Sequence, residues 1–299
     1  MTRHDPRYTQ ALITGLSCYL IWGIVPLYFH LMSDVPAWEI VANRVLWSVG
    51  LLLILTVARG RTKELLAVFH NLKLLGALTM SATLIAANWL IYIWGIVHNH
   101  LLATSLGYFM NPLVNVILGV AVLQERLRAL QIIAVAVATI GVLVAALGAS
   151  SDLWISVALA LSFGLYGLVR KQTQVNPFEG LLVETIILAP AFLAALLWQN
   201  AHGGTAFGHS LRIDSLLIFS AVVTSVPLIL FASAAKHLPY ATIGLIQYVS
   251  PTIAFIIATV GYHEPLSARM LLAFIFIWVA LAIFSSDLVR DLMARRAVA

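Results

Sequence analysis

Ten apolar runs follow one another along the chain, and short polar connections separate them. A membrane-spanning helix needs about 20 apolar residues, whereas a β-barrel strand needs only about 10 residues of alternating polarity. The pattern therefore predicts an all-α polytopic membrane protein. The predicted spans are 10–31, 37–58, 74–97, 101–123, 129–148, 153–170, 177–200, 214–235, 240–261 and 268–288.

The composition agrees with this class and excludes several others. Of the 299 residues, 62% are hydrophobic and 10% are charged, against about 25% charged in a typical soluble domain. The basic residues lie in short connections rather than in one patch, so no nucleic-acid partner is expected. No Gly-rich phosphate loop, HExxH or GxSxG motif occurs. The sequence therefore predicts no enzyme, no cofactor and no metal site, with "HNH" at 98–100 as a turn.

The basic residues predict the orientation of the chain. Fourteen of the 17 Lys and Arg residues lie at the N terminus, in even-numbered connections or beyond the last span. Only Arg212 and Arg269 lie in odd-numbered connections, and Arg44 lies inside a span. Cytoplasmic loops carry the excess of Lys and Arg, so both termini are expected in the cytoplasm. The segment 289–299 is then a basic cytoplasmic tail.

The two halves of the chain repeat each other. "LGYFMNPLVNVILGVAVLQERL" (106–127) matches "LIQYVSPTIAFIIATVGYHEPL" (245–266) at an offset of 139, and an offset of 141 pairs Trp22 with Phe163 and Pro36 with Pro177. Spans 1–5 thus correspond to spans 6–10. Because five is odd, the halves enter the membrane from opposite sides, and such inverted repeats place substrate sites near the midplane.

Several stretches carry a resemblance to a known family. They are "YLIWGIVPLYF" (19–29), "NWLIYIWGIVHNH" (88–100), "SLGYFMNPLVNVILG" (105–119), "SFGLYGLVRK" (162–171) and "FIWVALAIF" (276–284). The chain resembles the RarD-type permeases of the EamA branch of the drug/metabolite transporter superfamily. The resemblance implies EamA repeats at 10–148 and 153–288, an inner-membrane location and export of small metabolites or drugs.

Two charges lie inside the predicted spans. Arg44 is about eight residues beyond Pro36, and Glu184 is seven beyond Pro177. A charge at this depth costs at least about 2.5 kcal/mol unless it finds a partner or water. Since spans 2 and 7 are repeat equivalents, we expect the two charges to approach each other in a midplane cavity. They would bind the ends of a zwitterion or relay a proton; the alternative is a structural ion pair.

Polar and aromatic side chains in the third span form a second candidate group. Asn88 and Tyr92 are four residues apart and share a helix face, and Trp89 adds a second ring. An amide beside aromatic rings suits a small amphipathic ligand. The alternative is helix–helix hydrogen bonding by Asn88 and ordinary packing by the rings.

The fourth and ninth spans carry a repeated polar motif around a proline. Each proline removes a helical hydrogen bond, which is tolerated only where protein or water satisfies the freed carbonyl. We interpret these stretches as walls of a pathway with hinges at Pro112 and Pro251, the alternative being a purely architectural kink. The polar residues are Tyr108, Asn111 and Asn115 in the fourth span, and Gln247, Tyr248 and Ser250 in the ninth.

Four carboxylates near span ends are expected to be structural or solvated. Glu125 and Glu264 each precede a helix, where a carboxylate can cap free N–H groups. Glu39 and Glu179 lie at opposite membrane entrances and are expected in water.

Together these features predict a secondary transporter that works by alternating access and exports small amphipathic metabolites, amino acids or drugs. The rival is a scaffold or receptor that keeps the permease architecture. The expected partners are a small-molecule substrate and the lipid bilayer. The sequence leaves open a coupling proton and the choice between a monomer and a homodimer.

Overall fold

The computed structural model describes residues 6–98, 100–147, 153–261 and 267–296, and within these ranges it contains helices and no strand. Ten helical segments are long and apolar enough to cross a membrane. The helices are α1 Pro6–His30, α2 Ala37–Ala58, α3 Thr62–His70, α4 Leu72–Val97, α5 Leu101–Ala121, α6 Ala129–Ala146, α7 Leu153–Gln172, α8 Pro177–His202, α9 Leu211–His237, α10 Tyr240–Gln247, α11 Val249–Ile256 and α12 Ala268–Arg296.

The ten predicted spans are confirmed, with α10, α11 and a π-helical turn at Ile257–Gly261 forming a single span. The short α3 lies between the second and third spans. The last helix continues to Arg296, so most of the segment expected as a tail is helical.

Each repeat contributes five spans, so corresponding helices of the two halves run in opposite directions. We call the end of the bundle that holds α3, the start of α1 and the start of α8 the basic end, because most Lys and Arg residues lie there. The other end, where α2 and α7 begin, is called the opposite end.

The contacts between helices show the pseudo-two-fold symmetry directly. Helix α5 packs on α7 as α1 packs on α11, while α2 meets α8 and α5 meets α10 across the axis. At Gly23 an added Cβ would lie 2.7 Å from Ile253, and at Gly164 one would lie 2.6 Å from Val114. These two close contacts are repeat equivalents, which places both glycines where helices of the two repeats pack closely against each other.

The two prolines expected as hinges differ in their surroundings. Helix α5 runs from Leu101 to Ala121 through Pro112 without a break, whereas the ninth span divides at Tyr248, three residues before Pro251. Pro251 has no N–H to donate to the carbonyl one turn earlier, and the break lies beside this missing hydrogen bond. A hinge motion at either proline stays a prediction.

Candidate substrate-binding site

Arg44 on α2 lies among aromatic side chains. The guanidinium carbon is 4.3 Å from the centre of the Trp89 ring and 5.9 Å from that of Phe29. The phenol groups of Tyr92 and Tyr108 also lie near it. We call these five residues the Arg44 pocket. Aromatic faces attract a cation, which offsets part of the cost of holding a charge inside the membrane.

The Arg44 pocket borders the space between the helices rather than lipid. Tyr108 is 40% exposed, although it shares a face of α5 with the buried Asn111 and Asn115. The lipid-facing side of α5 carries Ile117 and Val120 instead. The Tyr108 ring also lies 5.5 Å from that of Tyr92 on α4. The exposed part of Tyr108 therefore faces the space between the helices.

A cluster of rings closes the bundle on the basic-end side of this pocket. We call Trp22, Phe163, Tyr166 and Phe231 the aromatic floor. The centre of the Trp22 ring is 5.8 Å from those of Phe163 and Phe231, and Tyr166 stacks on Phe231 at 6.1 Å. Trp22 lies seven residues before Phe29, or about 10 Å nearer the basic end. Trp22 and Phe163 are repeat equivalents, so the floor closes on the pseudo-two-fold axis.

Glu184 lies in a separate ion pair nearer the basic end. Its Oε1 is 3.5 Å from Nη1 of Arg170, and the two side chains are only 2% and 1% exposed. Ser81 on α4 donates a short hydrogen bond to the same oxygen. The Arg170 guanidinium also donates to the Pro177 carbonyl, at 3.0 Å, and lies against Gly180, where an added Cβ would overlap it. One face of α8 thus holds Arg170 along its first two turns.

The expectation that Arg44 and Glu184 approach each other is therefore wrong. The reason is the inverted topology, because the two residues are counted from opposite ends of the bundle. At 1.5 Å per residue they lie about 12 Å and about 10 Å from their own ends. In a hydrocarbon core of about 30 Å they stand on opposite sides of the midplane. Arg170, which we expected in a cytoplasmic connection, is buried. It forms the ion pair with Glu184 that we expected for Arg44.

One more ion pair and a hydrogen bond close the basic end around Glu184. Glu179 Oε1 is 3.1 Å from Nη1 of Arg61, which precedes α3, and Lys236 on α9 donates to the Val175 carbonyl. We call Arg61, Ser81, Arg170, Glu179 and Glu184 the basic-end network. Its contacts join α3 and α4 of the first repeat to α8 of the second.

Glu39 and Glu179 are buried, so the expectation that they are solvated is also wrong. Glu39 accepts a hydrogen bond of 2.6 Å from the Ala206 backbone N–H in the connection between α8 and α9. Glu39 therefore connects the two repeats at the opposite end of the bundle, and Glu179 connects them at the basic end.

The remaining predicted site residues lie mainly at contacts between helices. Asn88 donates to the Leu159 carbonyl at 2.9 Å and to Ser162 Oγ at 3.0 Å, both on α7. Asn115 donates to Gln247 Oε1 at 2.8 Å across the α5–α10 contact. These contacts favour a role in helix association for both asparagines.

Three further predicted residues lie near the same α5–α10 contact. The Tyr248 hydroxyl donates to the carbonyl of its repeat equivalent Phe109 at 3.3 Å. Asn111 is buried with Oδ1 unpaired, and Ser250 is partly exposed. The structure thus brings Arg44, Trp89, Tyr92 and Tyr108 together and leaves the other predicted residues outside the Arg44 pocket.

Replacing Asn88 by alanine is expected to lower the free energy of unfolding by about 1–3 kcal/mol, because the hydrogen bonds to α7 are lost inside the bundle. Titration with SDS in mixed micelles, followed by tryptophan fluorescence, measures this change. Ser286→Ala, which removes an exposed hydroxyl bonded to Ile283, is the matched control. Equal stability of the two variants would contradict the proposed helix contact.

Comparisons with known proteins agree with this architecture. The model of the EamA-like transporter family matches residues 9–147 and again 150–286. The chain belongs to the EamA-like transporter family. An uncharacterized transporter of Pseudomonas aeruginosa is 43% identical over 95% of both chains. Protein RarD of Escherichia coli strain K12 is 41% identical over 93% of this chain and 94% of its own.

Two more distant comparisons cover nearly the whole chain. The chloramphenicol-sensitive protein RarD of Pseudomonas aeruginosa is 30% identical over 97% of this chain and 98% of its own. A crystal structure aligns over 92% of this chain and 96% of its own with a TM-score of 0.71. That structure is 14% identical, so it supports the fold alone. The chain is a RarD-type permease of the EamA family and a multi-pass membrane protein.

Glu125 joins the two EamA repeats to each other. Its carboxylate accepts hydrogen bonds from the backbone N–H groups of Tyr240, at 2.6 Å, and Ala241, at 2.9 Å, at the start of α10. The expected capping role is thus present, but the capped helix belongs to the second repeat rather than following Glu125 in sequence. Glu264 lies outside the described residues.

Sequence reasoning missed Arg170, Ser81 and Phe29. Arg170 was assigned to a connection because it ends an apolar run, yet α7 continues to Gln172. The signal that could have found it is the spacing of Pro177, Gly180 and Glu184, which leaves one face of α8 free for a guanidinium. No feature of the EamA motifs identifies Ser81 or Phe29 as part of these sites.

Proposed function

We propose that this EamA protein is a secondary exporter that moves small amphipathic metabolites, amino acids or drugs by alternating access. One observation carries the proposal. The Arg44 pocket opens to an internal space, while the aromatic floor and the basic-end network close the bundle on one side of it. Closure on one side of a central site is what alternating access requires of each of its states.

We also propose that the basic end faces the cytoplasm of a bacterial inner membrane, with both termini on that side. The distribution of Lys and Arg supports this orientation. The conformation described above is then the state that is closed to the cytoplasm. Loading of substrate from the cytoplasm requires the contacts of Arg61 with Glu179 and of Ser81 with Glu184 to separate. The substrate gradient or a coupled proton would supply the energy.

Counterflow in proteoliposomes tests transport without assuming the coupling ion. Vesicles are loaded with one unlabelled compound and diluted into the same labelled compound. The panel holds amino acids, aromatic carboxylates and chloramphenicol, the last because the name of one relative refers to sensitivity to it. We expect saturable, transient accumulation of at least one compound, with and without an imposed proton gradient. Accumulation equal to that of protein-free vesicles for the whole panel would favour a scaffold or receptor.

A reversible cross-link at the basic end tests alternating access. A Cβ added at Gly15 on α1 lies 3.4 Å from the Ala234 Cβ on α9, close to the ~3.5–4.5 Å of a disulfide. In a Cys18→Ser background, Gly15→Cys with Ala234→Cys is expected to lose counterflow when oxidised and to regain it on reduction. Each single cysteine variant should transport in both conditions. Full transport by the cross-linked protein would reject opening at this end.

A further inference from the structure

We propose that the Arg44 pocket recognises the carboxylate of an organic monoanion whose body is apolar or aromatic. The inference names a substrate class for the transport proposed above, and it rests on that function only for the movement of the ligand after it has bound. The pocket combines a cation that has no counter-ion among the described residues, two phenol groups and aromatic walls.

Arg44 has no carboxylate partner within the described residues. No ion pair or hydrogen bond involves it there, and its Nε is buried without a hydrogen-bond partner. The carboxylates inside the bundle are already engaged elsewhere. They are Glu39 with the Ala206 N–H, Glu179 with Arg61, Glu184 with Arg170, Glu125 with the Tyr240 and Ala241 N–H groups, and Asp287 with Arg128.

The hydrogen-bond donors around Arg44 suit an anion. A guanidinium offers N–H groups in a planar fork that matches the two oxygens of a carboxylate. The phenol groups of Tyr92 and Tyr108 lie near it, and each hydroxyl can donate one hydrogen bond. An anion bound here would neutralise a charge that is costly at this depth.

The single cation in the pocket selects a single negative charge. Arg170 and Arg61 are held by Glu184 and Glu179 in the basic-end network, so they are not free to bind a second charge. A phosphate dianion would therefore remain partly uncompensated. An ammonium group would be repelled by Arg44 and would find no free carboxylate among the described residues of the bundle. The ligand inferred from the structure is therefore an anion, and not the zwitterion expected from the sequence.

The rings of the pocket determine the body of the ligand. Trp89 and Phe29 face the guanidinium, and Tyr92 packs edge-to-face on Tyr108 at 5.5 Å. Apolar walls with a few placed polar groups are typical of sites for small amphipathic molecules. A flat apolar body would lie against these rings while its carboxylate meets Arg44.

Calorimetric titration of the purified protein in detergent measures binding independently of transport. The probes share one phenyl-alkyl body: 3-phenylpropionate, its neutral amide, phenylalanine and 2-phenylethylamine, with phenyl phosphate as the dianion. We expect 3-phenylpropionate to bind at least about tenfold more tightly than each of the others, because a hydrogen bond to a charged group contributes about 1.5–3 kcal/mol.

Variants of Arg44 assign the selectivity to this side chain. Arg44→Gln should weaken 3-phenylpropionate binding by about 10–100-fold and change amide binding little, whereas Arg44→Lys should keep part of the preference. The control is Arg269→Gln, which changes an exposed arginine at the start of α12. Size-exclusion profiles check that each variant is folded, and the comparison of probes on the wild-type protein needs no variant at all.

Several outcomes would overturn the inference. They are equal affinities for the acid and the amide, tighter binding of phenylalanine or phenyl phosphate, carboxylate binding that Arg44→Gln leaves unchanged, and no binding of any probe at millimolar concentration. Arg44-dependent carboxylate binding without counterflow would keep this inference and reject transport. Counterflow of neutral or cationic compounds without a carboxylate preference would do the reverse.

Discussion

Replacing Glu184 by glutamine is expected to lower the free energy of unfolding by about 3–5 kcal/mol, because the Arg170 guanidinium would remain buried without its counter-ion. Both side chains are almost completely buried. Ser81 and the Pro177 carbonyl would still contact the site, but neither carries a charge. SDS titration in mixed micelles measures the loss.

A double-mutant cycle separates the ion pair from general damage at this position. Arg170→Met combined with Glu184→Leu removes both charges and fills similar volumes. The double variant is expected to recover most of the stability lost by Glu184→Leu alone, since well-packed apolar residues often replace a buried ion pair at little cost. A double variant as unstable as the sum of its single changes would contradict a coupled pair.

The matched control is the pair of Arg61 with the exposed Glu64, whose closest atoms are 3.8 Å apart. Glu64→Gln should change the free energy of unfolding by about 0.5 kcal/mol or less, as is usual for ion pairs in water. The same Glu184→Gln protein should bind 3-phenylpropionate with wild-type affinity while it stays folded, because the Arg44 pocket does not contain Glu184. A large loss of affinity would show that the two sites are linked.

The second large effect is expected for Glu125→Ala, which should cost about 3 kcal/mol. The change leaves the Tyr240 and Ala241 N–H groups without an acceptor at the start of α10, and each hydrogen bond to a charged group contributes about 1.5–3 kcal/mol. Glu125→Gln keeps an acceptor and should cost about half as much. The measurement is again SDS titration.

Gly119→Ala tests the same contact without touching the carboxylate. An added Cβ would lie 2.7 Å from Glu125 Oε2 and 3.0 Å from the Ala241 nitrogen, so it should displace the carboxylate and destabilise the protein. Gly50→Ala is the control, because an added Cβ there meets nothing within 4 Å. If Gly119→Ala is as stable as Gly50→Ala, the Glu125 contact contributes little.

The spans and the repeat were predictable because they depend on properties that the sequence carries locally. Apolar length sets each helix, and short connections force neighbours to run antiparallel. The offsets of 139 and 141 identified equivalent helices, and the odd number of spans implied the inversion. The contact of Arg44 with Trp89, Tyr92 and Tyr108 could be predicted in the same way, since all four residues lie about 8–12 Å from the opposite end of the bundle.

The ion pairs were not predictable from depth and equivalence alone. A charged side chain pairs with an opposite charge that is close to it in the folded protein. Arg170 reaches Glu184 only because Gly180 leaves room on α8. Glu125 likewise caps a helix that is remote in sequence, since the fold brings α10 beside α5. Such pairings depend on how helices of different repeats meet, which the pattern of each helix does not contain.

The ion pair of Arg170 and Glu184 has no counterpart at the opposite end, because the repeat equivalents of these two residues are Phe29 and Asn43. If the chain transports by alternating access, as proposed above, we expect the two empty orientations to differ in free energy, with the closed basic end the more populated. Such a bias cannot drive net movement against a gradient. It would appear instead as different half-saturation concentrations of the substrate on the two membrane faces. The maximal transport rates in the two directions would differ by the same ratio, as the Haldane relation requires.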